Sequence, residues 1–238
     1  MPLSGRYWAR VFVREFVPQL TATLDALEHR VLPAFDGIGK EAERLSRDAW
    51  DAYMSTPAED EGDPAAYAES AQEMGVDHYM LLNGIRQGIM NLFASALYHA
   101  FEQQIMLFHR RQVLHPVEEN DRSHFKFSVF KVRLKSCGID VENFGSWRTV
   151  QELRLVANAV KHADGGSMDK LRDLRPDLFV APGLPLEVGE LTKHWRRPVF
   201  RPLVGEDFYV SLDSLRKYRD ALVRFWEELA GALQSDES

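Results

Sequence analysis

Ala65 to about Leu114 is the longest helical signal in the chain, and Met80 to Phe108 within it is dense in Leu, Ile, Met and Phe. That density is the composition of a bundle's central helix, so the rest of the chain has to supply helices that cover it. Gly84 and Gly88 interrupt the run. Each weakens a helix by about 1 kcal/mol relative to alanine, and both allow a bend or break, or the close approach of another helix. Inside the apolar stretch lies a polar line of Asn91, Ser95, His99 and Gln103, with Glu102 beside it. Burying such groups without partners costs about 1–3 kcal/mol apiece. They must pair with one another, with a second polar line, or with ligand and water.

The covering helices are legible on both sides. Tyr7, Trp8, Val11 and Phe12 lie on one side of Ser4–Phe16, and Leu20, Leu24, Leu27 and Val31 trace a second stripe after Pro18. Ile38, Ala42, Leu45, Ala49 and Tyr53 are again helix-spaced, as are Phe125, Val129 and Val132. A last helix runs from Ser211 to about Leu233 with Leu215, Tyr218, Leu222, Phe225, Trp226 and Leu229 inward. Between them, residues 56–64 (TPAEDEGDP) read as an acidic surface loop. Residues 180–210 carry Pro182, Pro185, Pro198 and Pro202 with the basic cluster Lys193, Arg196, Arg197 and Arg201. This Pro/Arg-rich excursion leaves room for a small β-hairpin, because PVFRPLV and DFYVSL alternate like edge strands. The expected fold is therefore all-α: one domain over residues 1–238, a bundle of five to seven helices.

Charge and cysteine usage bound the function. The net charge of −7 argues against a general nucleic-acid coat protein. It is unevenly spread: residues 40–80 hold eleven Asp/Glu against three Lys/Arg, and residues 109–139 hold seven Lys/Arg against three Asp/Glu. Two solvated faces of opposite sign explain this, and so does an acidic face beside a basic groove. No apolar run approaches the roughly 18 residues of a membrane span, and no basic-then-apolar signal pattern opens the chain. A single cysteine, Cys137, permits neither an internal disulfide nor a cysteine metal cluster. A cytoplasmic location with no membrane partner is the expectation.

Helix signals and chemically capable side chains coincide at Ser146–Gly166, SWRTVQELRLVANAVKHADGG. Trp147, Val150, Leu153, Val156, Ala157 and Val160 mark a buried face, Ser146 is the expected N-cap, and Asp164-Gly165-Gly166 the stop. Arg154, Asn158 and His162 stand four residues apart and form one polar stripe, with Lys161 adjacent. A cation, an amide and an imidazole on one line suit phosphate binding and proton movement. They also suit a solvated outer face. The stripe is the expected mate of the polar line on the central helix, which adds His99 and Glu102 as supporting residues. No glycine-rich phosphate loop, HExxH pattern or G-x-S-x-G turn is present. What remains is chemistry that needs neither metal nor cofactor, such as RNA cleavage through the 2′-hydroxyl.

The run ANAVKHADGG resembles the signature helix of the HEPN superfamily, small helical bundles of prokaryotic toxins and RNA-cutting defence systems. That signature is an Arg, a polar residue and a His after four to six intervening residues. Asn158 and His162 match its Asn-x-x-x-His part, whereas Ala157 stands where the Arg usually precedes the Asn. The nearest upstream guanidinium is Arg154, separated from His162 by seven intervening residues, one more than that range. The resemblance implies a helical domain and a metal-independent endoribonuclease of a toxin–antitoxin or phage-defence system. It also implies RNA and an antitoxin as partners, and a homodimer in which two signature helices meet. Arg154, Asn158 and His162 are then the catalytic set. The alternative is a non-catalytic helical module that binds a partner protein or a nucleotide, which the acidic balance and Ala157 favour.

Overall fold

The computed structural model describes residues 4–55, 63–182 and 198–235. The long apolar signal becomes one helix of 45 residues, Pro64–Phe108, here α4. Pro64 occupies its first turn, where a missing N–H costs nothing, and the Asp63 carboxylate accepts from the Ala65 N–H at 2.9 Å. Around the second half of α4 pack the covering helices. Gly5–Val11 (α1) and Val17–Ala26 (α2) join through a π-helical turn at Phe12–Phe16 into a single rod. Phe127–Ser136 (α5), Trp147–His162 (α6), the short Gly166–Leu174 (α7) and Leu212–Ser235 (α8) complete the bundle. Ile38–Ser55 (α3) stands apart from this core and packs along the first part of α4. The fold is all-α, and no described helix is long and apolar enough to cross a membrane.

An aromatic knot closes the core. Trp226 of α8 is fully buried, with the ring centres of Phe12, Phe16 and Phe101 at 4.5, 5.0 and 5.6 Å. Its indole N–H donates to Gln104 Oε1 at 3.0 Å, and the Gln104 amide donates onward to the Phe16 carbonyl and to Gln19 Oε1. The buried glutamine is thus Gln104, not the exposed Gln103 of the expected polar line.

Asn91, on that same line, finds its partners in the excursion. Its amide donates to the carbonyls of Pro202 (2.6 Å) and Phe208 (2.7 Å), and its Oδ1 accepts from the Val210 N–H and from Gln87, each at 3.0 Å. A fully buried amide with four bonds is satisfied, so residues 202–210 are tied to α4 without any ladder. No strand occurs among the described residues, and the two segments expected to alternate as a hairpin form a 3₁₀ turn at Pro202–Val204 and irregular backbone leading into α8 instead. Residues 183–197 and most of the acidic loop, 56–62, lie outside the described residues.

The two glycines of α4 make this docking possible. Neither breaks the helix. A Cβ on Gly88 would stand 2.0 Å from the Leu203 carbonyl oxygen, and one on Gly84 2.8 Å from that of Val204. The approaching segment is therefore this turn and not another helix. Gly88→Ala should destabilise the protein by about 1–3 kcal/mol in urea unfolding, because the overpacked turn must move. Helix propensity alone predicts a gain of about 1 kcal/mol, so a stabilised variant would contradict the fit.

His109 ends α4 inside the protein, although its position beside Arg110 and Arg111 reads as a solvated helix end. Its Nε2 donates to the His124 carbonyl at 3.1 Å, which leaves Nδ1 unprotonated, buried and without a partner. Burial holds this imidazole below its ordinary 6.5 despite that bond. The unfolded chain then takes up a proton that the folded chain refuses. Stability is fully present above pH 6.5 and falls as the pH drops through that value toward the depressed folded one. Urea midpoints measured from pH 8 to 5 should decline in the wild type and decline less in His109→Phe. Equal slopes would contradict the assignment.

Candidate functional site

The apolar face of α6 lies where its periodicity puts it: Val150, Leu153, Val156, Ala157 and Val160 are all buried. Its start is built differently from the expectation. Ser146 has helical backbone angles and makes no side-chain cap. Instead the Glu228 carboxylate of α8 accepts from the Gly145 N–H (3.0 Å), the Ser146 N–H (3.2 Å) and the Ser146 hydroxyl (2.6 Å). An anion at a helix N-terminus also suits the positive end of the dipole. The position of α6 is therefore fixed from α8.

A second anchor sits one turn further on. Glu152 is only 5% exposed. Its carboxylate accepts from Arg175 Nη1, from the Tyr218 hydroxyl at 2.8 Å and from Lys217 Nζ at 3.2 Å. Arg175 in turn grips Asp177 through Nε (2.8 Å) and Nη2 (2.6 Å), and Ser214 through Nη2 (3.2 Å). The paired Asp177 carboxylate raises the Arg175 pKa further, and Arg175 holds Asp177 below the usual carboxylate range. Burial, then the Glu152 charge, pushes the Tyr218 phenol up. This network joins α6, the turn after α7, and α8. Nothing in the sequence analysis singled out Glu152, although it falls one turn before Val156 on the buried stripe.

The opposite face carries the sequence-predicted residues. Arg154, Lys161 and His162 are exposed and Asn158 is half-buried. Along α6, Arg154, Asn158 and His162 follow one another at about 6 Å intervals, so the line is about 12 Å long. None of the four makes a hydrogen bond or ion pair with another described residue. The helix ends directly after His162, where Ala163 is held at φ 53° and ψ −127°, a region costly for any residue with a Cβ.

The polar line of α4 does not become the mate of this stripe. Asn91 serves the excursion, Gln103 is exposed, and His99 bonds Glu102 on its own helix at 3.3 Å. Arg154 of α6 and Glu102 of α4 both act by charge on the buried Tyr98. Burial and the Glu102 charge push the Tyr98 phenol up to about 12, and the Arg154 charge opposes them from α6. The result is a line of an exposed guanidinium, a half-buried amide and an exposed imidazole along α6. No described carboxylate pairs with His162 to orient its ring, so the line offers contacts to an anion more readily than an assembled catalytic triad. Compared with known proteins, the chain matches no family model, no curated protein and no solved structure.

Proposed function

We propose that the outer face of α6 meets the phosphates of RNA and that this chain is a HEPN-like, metal-independent endoribonuclease of a toxin–antitoxin or phage-defence system. The observation that carries this reading is the absence of any protein partner for Arg154, Asn158, Lys161 and His162 among the described residues. Every other polar function of α6 that is buried, Glu152 above all, is consumed by the fold. Three side chains at one-turn spacing, the outer two exposed and Asn158 half-buried, suit successive anionic groups, and Lys161 adds a second cation. In the reaction, His162 takes the proton of a 2′-hydroxyl, the 2′-oxygen attacks the adjacent phosphorus, and the P–O5′ bond breaks. Arg154 stabilises the charge of the phosphorane, and a second imidazole, contributed by a facing copy of α6, protonates the leaving oxygen.

A second reading rests on Ala157. It is only 1% exposed, so the position directly before Asn158 faces the core and cannot present a guanidinium. On this reading the same face binds RNA, a nucleotide or a partner protein without chemistry. The experiment that separates the two is incubation of the full chain with single-stranded RNA in excess chelator. Cleavage supports the nuclease, binding by fluorescence anisotropy without cleavage supports a non-catalytic RNA-binding module, and neither binding nor cleavage contradicts any action of this face on RNA.

A further inference from the structure

The hairpin of α3 and the first part of α4 lacks a core of its own. Between Ile38 and Arg86 the described residues that become buried are Ala42, Ala71 and Gly75, whose small size lets the two helices touch. Tyr53 stacks on Tyr67 and His78 bonds Glu41 at 3.0 Å, which holds the pair together. The large apolar side chains point outward: Met74, Val76, Met80 and Leu81 are between 43% and 62% exposed. Interleaved with them, Glu69, Glu73 and Asp77 form an exposed acidic line at four-residue steps, with no partner among the described residues. Small-residue contacts inside and uncovered methionines outside are the mark of an interaction surface.

The body of the same chain carries the complement. A groove of about 620 Å³ runs between α1 and the end of α8, floored by Ala9, Val13 and Ala230 and edged by Arg6, Arg10 and Arg14. These arginines also stand at four-residue steps. Arg10 and Arg14 meet no carboxylate among the described residues. The patterns match in detail: Ala9 and Val13 follow Arg6 and Arg10 by three residues, and Val76 and Met80 follow Glu73 and Asp77 by three. Each helix thus presents charge and apolar contact in the same alternation, with opposite sign. Such a pair of faces suits an acidic amphipathic helix laid into a basic groove.

We infer that the α3–α4 hairpin of one copy docks into the Arg6–Arg14 groove of a second copy of this chain. The occupant is a second copy because this chain itself carries the acidic, apolar and uncovered element that the groove fits. This interface uses no residue of α6, so it stands or falls separately from the RNA reading. Sedimentation velocity of the full chain tests it. At tens of micromolar and low salt, the wild type should sediment as a dimer or higher multiple of 27.3 kDa and shift toward monomer in high salt. Arg10→Glu/Arg14→Glu and Glu73→Arg/Asp77→Arg should each weaken self-association roughly tenfold or more, with unchanged circular dichroism. Combining all four reversals in one chain, or mixing the two double variants, should restore it. A monomeric wild type, an oligomer indifferent to the reversals, or failure of the combined variant to re-associate would overturn the inference.

Discussion

Glu152→Ala should cost the protein about 3–5 kcal/mol, the largest loss expected from any single side chain outside the aromatic core. The carboxylate is buried, and Arg175, Tyr218 and Lys217 all donate to it. Removing it leaves the buried Tyr218 hydroxyl without its carboxylate and strips Arg175, still held by Asp177, of its buried counter-charge, and these losses together with the space left behind set the magnitude. In a chain of this length the loss corresponds to a drop in melting temperature of roughly 6–20 °C. Tyr218→Phe removes one donor to the charge and leaves the ion pairs, so about 1.5–3 kcal/mol is expected. Chemical denaturation of the two variants checks the order. A loss below about 1 kcal/mol for Glu152→Ala would show that the network is dispensable.

Such a network also explains what could and could not be read from the sequence. The lengths of α4, α6 and α8 were legible because apolar spacing is a local signal. Val150, Leu153 and Val156 announce their face without reference to any other part of the chain. The partners were not legible. Asn91 is served by backbone atoms more than 110 residues away, and Ser146 by a carboxylate 82 residues away. Side-chain hydrogen bonds of this kind have no periodicity. The local cues at Ser146 therefore suggested an ordinary cap, and those at 198–212 a hairpin. Gly84 and Gly88 are intermediate: their need for close approach could be read, but the segment that approaches could not. At the candidate site, the exposed line of Arg154, Asn158 and His162 follows from helix geometry alone. The expectation that it mates with Asn91 and Gln103 failed because each polar group of α4 had another option nearby: loop backbone for Asn91, water for Gln103.

The central claim is that the exposed end of α6 acts on RNA, and His162→Ala tests it most directly. His162 is exposed and bonds no described residue, so its truncation leaves no buried group unpaired and should change the melting temperature by less than about 1 °C. If His162 moves the proton in 2′-hydroxyl attack, the rate of RNA cleavage in chelator should fall by on the order of 10²–10⁴. If Arg154 holds phosphate in ground and transition state alike, Arg154→Ala should lower the rate in the same direction and weaken RNA binding as well. A folded His162→Ala protein that binds RNA and no longer cuts it is expected; a His162→Ala protein that cuts RNA at the wild-type rate, or one that unfolds, would contradict proton transfer by His162.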